Sequence, residues 1–170
     1  MKKIIRLTAL TLALFAIAAC IAGCALLEPE DKVFTAEELS ITLNDGFAEQ
    51  DLITQTAYYV SKDAIVTALK EPTAGIAGAP KNVKEYAELV CTVNSLTESA
   101  ITEKADYASF TYEKEVNGKD FFYYARCYQN GSDFWLVQFA CETKNKDAFT
   151  ETFGKWADSI NFTTTDKSSL

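Results

Sequence analysis

Two Asn-Gly pairs, Asn117-Gly118 and Asn130-Gly131, sit between long runs rich in tyrosine, phenylalanine and valine. Asn-Gly is the strongest short-range hairpin signal, because a type I′ turn needs positive φ at both central residues. Two such turns commit this stretch to a three-stranded antiparallel meander. If both turns have two residues, Arg126 lies opposite Ser109 on one side and Trp135 on the other. Strand alternation then sorts the side chains. One face takes Ala108, Phe110, Tyr112, Tyr123, Cys127 and Leu136. The other takes Phe122, Tyr124, Arg126, Tyr128, Trp135 and Phe139. A sheet with one wet face alternates more cleanly than this, so both faces are expected to be covered.

The remaining elements supply the cover. Ser40 to Leu43 alternates polar and apolar ahead of the turn Asn44-Asp45-Gly46, which makes a short strand. Thr54 to Ser61 and Ala64 to Glu71 read as a further hairpin around Lys62-Asp63. Pro72 to Pro80 is a Gly/Ala connection that lacks the lysine and hydroxyl of a phosphate-binding loop. A helix is predicted over Asn82 to Asn94, with Asn82 as N-cap and Glu85 three residues on. Its buried face is Val83, Tyr86, Ala87, Val90 and Val93 or Asn94, bordered by Cys91. A second helix is predicted over Lys146 to Asn161, with Phe149, Phe153, Trp156, Ala157 and Ile160 as its apolar stripe. The two helices cover opposite sides of the sheet or share one. The expected fold class is α+β, an antiparallel sheet with helices on its faces.

The chain opens differently. Lys2, Lys3 and Arg6 precede an uncharged apolar run from Leu7 to Leu27. A basic head, a short apolar stretch and small residues before a cut site make a secretory signal peptide. Here the cut site ends in cysteine, Ile21-Ala22-Gly23-Cys24, which resembles the lipobox of bacterial lipoproteins. The resemblance implies a diacylglycerol on Cys24 that anchors the chain without a spanning helix, since two acyl chains hold stably where one does not. Cys20, after Ile17-Ala18-Ala19, is a competing site; the glycine before Cys24 favours Cys24. The alternative is an uncleaved signal anchor, for which the run is long enough. Both readings place the later residues outside the cytoplasm. The expected organisation is a signal peptide over 1–23, a lipidated tether over 24–33, one domain over 34–162 and a flexible tail over 163–170.

Three of the sixteen basic residues and none of the twenty-four acidic ones lie in 1–23, so the rest carries a net charge of −11. Such a surface disfavours nucleic acid and anionic headgroups, both of which need a basic footprint. Cys91, Cys127 and Cys141 remain outside the leader, in no metal-binding spacing. An odd number in an exported chain leaves at least one unpaired. Buried free thiols are expected, with a disulfide from Cys91 to one of the others as the alternative. The sequence contains no histidine. That removes Ser-His-Asp and Cys-His catalysis, histidine metal sites and the usual near-neutral proton shuttle. No catalytic residue, metal ligand set or cofactor motif stands out.

Two stretches still merit weighing as sites. Arg126 is the one arginine outside the leader, flanked by Tyr124 and Tyr128 and, in the register above, opposite Trp135. A guanidinium among aromatics holds a carboxylate or phosphate. Equally, it packs by cation–π contact with one salt bridge, for which Glu113 is the nearest candidate. Asn44, Asp45, Glu49 and Asp51 place oxygen ligands on one loop, but at no EF-hand spacing, so a solvated acidic loop is expected.

The run Phe134-Trp135-Leu136-Val137-Gln138-Phe139-Ala140-Cys141, followed by Phe153-Gly154-Lys155-Trp156-Ala157-Asp158-Ser159-Ile160, resembles the C-terminal half of PsbP-like domains. The early strand Leu39 to Leu43 and the helix segment Glu85 to Val90 are similar in order to small bacterial lipoproteins of this kind. The resemblance covers about 34–162 and implies an α/β/α sandwich. Its relatives mostly serve as accessory or protein-binding subunits, among them a lumenal photosystem II protein and a transport factor that binds a small GTPase. Fold does not carry function, and no functional motif of those relatives falls on residues here. The functional expectation is a membrane-anchored, extracytoplasmic, non-enzymatic binding or accessory module with an envelope-protein partner. The alternative is a small-ligand receptor or enzyme using a pocket around Arg126, Trp135, Tyr124 and Tyr128.

Overall fold

The computed structural model describes residues 29–76, 78–96 and 100–163. Residues 1–28, with the expected signal peptide, Cys20 and Cys24, and residues 164–170 lie outside the described residues. No helix among the described residues is long and apolar enough to cross a membrane.

Among the described residues, ten strands form two sheets. A small sheet has the order β1 (Asp31–Ala36), β2 (Leu39–Asn44), β10 (Asn161–Phe162). A seven-stranded sheet has the order β3 (Ala48–Glu49), β4 (Ala57–Val60), β5 (Ile65–Pro72), β9 (Asp133–Glu142), β8 (Lys119–Asn130), β7 (Tyr107–Val116), β6 (Thr102–Glu103). All the pairings are antiparallel. The first strand begins at Asp31, inside the stretch read as tether, and the short strands β3, β6 and β10 carry no sequence signal of their own.

Helix α1 (Val83–Val93) starts where Asn82 caps it: the Asn82 side-chain oxygen accepts the Glu85 N–H at 2.9 Å. Glu85 reaches back one residue further than in a capping box, its carboxylate accepting from the Lys81 N–H at 2.9 Å. Tyr86, Ala87, Val90 and Cys91 are buried against the large sheet, with Ala108, Phe110, Cys127, Phe134 and Leu136 beneath them. Val93, read as a candidate for that face, is 51% exposed. Helix α2 (Lys146–Asp158) ends before Ile160, and the chain turns into β10 instead of continuing to Asn161.

Helix α2 and the small sheet lie on the other face of the large sheet. Phe153 and Ala157 are fully buried there with Phe122, Tyr128, Trp135, Val137 and Phe139, together with Leu39, Ile41 and Leu43 of β2. Phe153 stacks on Phe122 and packs at a tilt against Phe139; truncating such a ring to alanine costs about 3–5 kcal/mol. The two helices therefore sit on opposite faces. In β9 the residues Phe134–Cys141 are all buried, as a strand covered on both sides must be.

The face assignment of the meander holds throughout, but one turn differs. Asn117 (φ 52°) and Gly118 (φ 76°) both take positive φ, as a type I′ turn requires. At the second turn Asn130 pairs with Asp133, so the central residues are Gly131 and Ser132. Only Gly131 has positive φ (61°), the sign pattern of a type II′ turn. Both types match the twist of the flanking strands. The observed one lets the Ser132 carbonyl accept from the Thr73 N–H (3.1 Å) and hydroxyl (2.7 Å), tying the turn to the end of β5.

Candidate functional site

The slipped turn rearranges the neighbours of Arg126. It lies opposite Ser109 as expected, but opposite Val137 on the other side; Trp135 faces Tyr128. Arg126 is nonetheless at the centre of a built cluster. Its Nε donates to the Tyr124 hydroxyl at 2.6 Å, and one terminal nitrogen meets the Asp158 carboxylate at 2.7 Å. The guanidinium lies 4.1 Å from the Tyr107 ring centroid and 5.5 Å from that of Tyr124. The expected partner Glu113 is instead bound to Lys146 at 2.7 Å. Arg126 points across the sheet towards the end of α2, whereas Glu113 sits lower on β7, near the start of that helix.

The electrostatics explain why a charge is tolerated inside. Burial works against the guanidinium, yet the bonds to Tyr124 and Asp158 and the neighbouring Tyr128 more than offset it, so its pKa moves up. Asp158 is the last residue of α2, where the helix dipole disfavours an anion and favours a cation. Arg126 supplies that cation. The Tyr128 hydroxyl donates to the Ala157 carbonyl at 3.1 Å, satisfying one of the helix's terminal acceptors. Arg126 and Tyr128 together cap α2 from the sheet.

Next to this cluster, Lys70, Trp135, Tyr128 and Tyr107 stand directly opposite one another across β5, β9, β8 and β7. Phe162 covers the middle of the row, 5.3 Å from Trp135 and 5.4 Å from Tyr128 between ring centroids. Lys70 lies 5.6 Å above the Trp135 ring. Its ammonium bonds Glu37 (2.9 Å) and Glu38 (2.7 Å) at the β1–β2 turn, with Asp133 at 3.5 Å. The bond to Glu38 above all, with Glu37 beside it, holds the Lys70 pKa up against the effect of burial. The Trp135 indole N–H is buried and makes no hydrogen bond among the described residues.

Of the four residues read as a ligand site, Arg126, Tyr124 and Tyr128 come together and Trp135 stands one rung away beneath Lys70. Sequence reasoning missed Tyr107, Asp158 and the whole Lys70 cluster. An aspartate closing a helix is a usable sign that a cation must come from elsewhere. No local pattern announces Lys70, because its partners lie on two distant segments, the β1–β2 turn and the start of β9. Asn44 spends its side chain on the Gly46 N–H at 3.0 Å, and no group of three metal-ligating residues occurs among the described residues. Cys91, Cys127 and Cys141 are free and buried.

On the α1 face, Tyr86 donates to Glu71 at 2.6 Å while its ring stacks on Phe134 at 4.7 Å. Burial raises the Glu71 pKa, and the Tyr86 bond only partly opposes it. This pair joins α1 to β5.

The architecture is thus a mixed α+β sandwich in which the one buried guanidinium serves the packing of a helix. No protein-family model matches the chain, and neither does any curated protein. Solved structures do match in fold. The yeast (Saccharomyces cerevisiae) Ran-binding protein Mog1p aligns with a TM-score of 0.53 at 7% identity, over 79% of this chain and 96% of its own. A Bacteroides thetaiotaomicron crystal structure aligns with a TM-score of 0.52 at 9% identity, over 81% of this chain and 50% of its own. The cyanobacterial PsbP of Synechocystis aligns with a TM-score of 0.49 at 10% identity, over 86% of this chain and 99% of its own. The α+β fold expected from the sequence, an antiparallel sheet with helices on its faces, is the fold observed, and Mog1p shares it.

Proposed function

We propose that this chain is a lipid-anchored, extracytoplasmic binding or accessory module of a bacterial envelope, held to its membrane through Cys24 and acting on an envelope protein. The observation that carries this reading is the internal use of Arg126. Its donors serve Tyr124 and Asp158, so the most plausible anion-binding side chain in the sequence is engaged in holding α2. The leader and its Ile21-Ala22-Gly23-Cys24 sequence support the address. Mog1p, which shares the fold, is a Ran-binding protein, so this fold is compatible with protein binding.

The test is native mass spectrometry of the full-length protein, gently extracted from its host membrane after brief crosslinking. A diacylglycerol mass on Cys24 together with a reproducible protein partner is the expected result. A protein that carries a discrete small molecule and no partner overturns the reading and returns attention to Arg126. A Cys24→Ser variant found in the membrane fraction as fully as the parent overturns the anchor alone.

A further inference from the structure

The large sheet ends in a long strand that is mostly unpaired on its outer side. β6 covers β7 only at Ala108 and Ser109. The Lys104 N–H bonds the Tyr107 carbonyl at 2.8 Å, which places the backbone groups of Tyr107 on the outer side. Antiparallel strands alternate, so the N–H and C=O of Thr111, Glu113 and Glu115 point outward too. Val116, paired with Lys119 across the two-residue turn, points inward and fixes the same phase. None of these six outward groups has a partner among the described residues.

The rim beside this edge is acidic. Glu113, Glu115 and Asp120 share the α2 face, and Glu115 stands directly opposite Asp120 with both exposed. Like charges directly opposite across a ladder destabilise it. Lys146 binds Glu113, and neither Glu115 nor Asp120 has an ion-pair partner among the described residues. On the α1 face the rim is mostly apolar, with Phe110, Tyr112 and Val116 buried at the edge and Lys114 half-buried between the last two.

We infer that the β7 edge receives an extended segment of a partner protein, added as an outer strand, with basic side chains towards Glu113, Glu115 and Asp120 and apolar ones towards Tyr112. Backbone bonds give such strand addition its affinity and alternate side chains its specificity. A second copy paired antiparallel at β7 sets only Tyr107, Ser109, Thr111, Glu113 or Glu115 opposite Glu113 and Glu115, and none of these is basic. The outer strand β1 of the small sheet has no opposed like charges: Asp31 faces Asn44 and Lys32 faces Leu43. The inference rests on the binding-module reading for its purpose and is independent of the lipid.

The test uses full-length protein in nonionic detergent at low salt. The probe is an acetylated, amidated heptapeptide of alternating lysine and valine, with a glutamate–valine peptide as control. Amide exchange at Thr111, Glu113 and Glu115 is expected to slow about tenfold or more with the basic peptide and not with the acidic one. Thr111→Pro removes an outward N–H without touching the β8 ladder and is expected to abolish the protection. Glu115→Lys is expected to weaken the peptide while raising the melting temperature, since it relieves the opposed pair; this variant carries the test should the proline unfold the hairpin. Unchanged exchange, protection at β1 instead, or equal protection by both peptides overturns the inference. A crosslinked partner on a protein whose β7 stays inert overturns the edge and leaves the module reading standing.

Discussion

Arg126 and Asp158 meet at 2.7 Å although the arginine side chain is 6% exposed and the aspartate 68%. The ion pair therefore spans the boundary between core and solvent, and its two ends are worth different amounts. Removing an exposed carboxylate removes a screened Coulomb term. Removing the guanidinium empties a packed site and frees the Tyr124 hydroxyl from its bond.

Asp158→Asn is expected to lower stability by less than about 1 kcal/mol. Arg126→Lys is expected to cost about 1–3 kcal/mol, because an ammonium cannot hold Tyr124 and Asp158 while lying flat on Tyr107. Urea unfolding followed by tryptophan fluorescence measures both. Equal losses from the two variants would contradict the capping role. Loss of partner binding in Arg126→Lys with stability unchanged would overturn the packing reading.

Glu71 holds its proton more tightly when folded than when unfolded, because burial raises its pKa. Folding then takes up protons at this site. Its contribution is fully favourable below the unfolded value of about 4.3 and is lost as pH rises through the raised folded value. Glu71→Gln keeps an acceptor for Tyr86 and never ionises. Relative to the parent it is expected to gain up to about 1 kcal/mol at pH 7 and nothing at pH 4. Glu71→Leu leaves the buried Tyr86 hydroxyl unpaired and is expected to cost about 1–3 kcal/mol. Melts across that pH range decide both.

Glu37 takes φ 50° at the β1–β2 turn, a region in which a non-glycine residue is strained by about 1 kcal/mol. Its carboxylate is 54% exposed, so its bond to Lys70 recovers little. Glu37→Gly is expected to leave stability unchanged or to raise it by up to about 1 kcal/mol. Lys70→Met, which removes the cation bonded to Glu38 and close to Asp133, is expected to lower it. Thermal unfolding of the two variants in parallel provides the comparison.

Burial pushes the Cys91 and Cys141 thiols up to about 11 and raises the Cys127 thiol well above its ordinary value. Thiolate is the reactive form. Iodoacetamide at pH 7.5 is therefore expected to leave the native protein unmodified over the time in which the unfolded chain takes up label at all three positions. A mass two units low before reduction would reveal a disulfide and overturn the assignment of free thiols.

What the sequence made legible followed local rules. Asn117-Gly118, the Asn82 cap and the stripe around Phe153 each encode their element within a few residues, and each appears. The face assignment survived because alternation is a property of the strand alone. The partner of Arg126 was not legible. Asp158 lies thirty-two residues away on another element, and its selection depends on where α2 docks. Lys70 is harder still, because Glu37, Glu38 and Asp133 reach it from a hairpin and a strand that only the assembled sheets bring near. The strand β1 was hidden by its own pattern: its first three residues are all exposed, and it begins within the stretch read as a tether.

The second turn carries a further lesson about change in this chain. Its centre lies one residue beyond the Asn-Gly pair, yet no side chain of β9 changed layers. Two-residue loops at any position preserve the odd–even matching of the strands, whereas a three-residue loop inverts it. A single insertion at Gly131 would carry Trp135, Val137 and Phe139 over to α1 and expel Phe134 and Leu136 to α2, turning the sandwich inside out along one strand. Length variation at this hairpin is thus governed by parity: two added residues are a surface matter, and one is a rewriting of both cores.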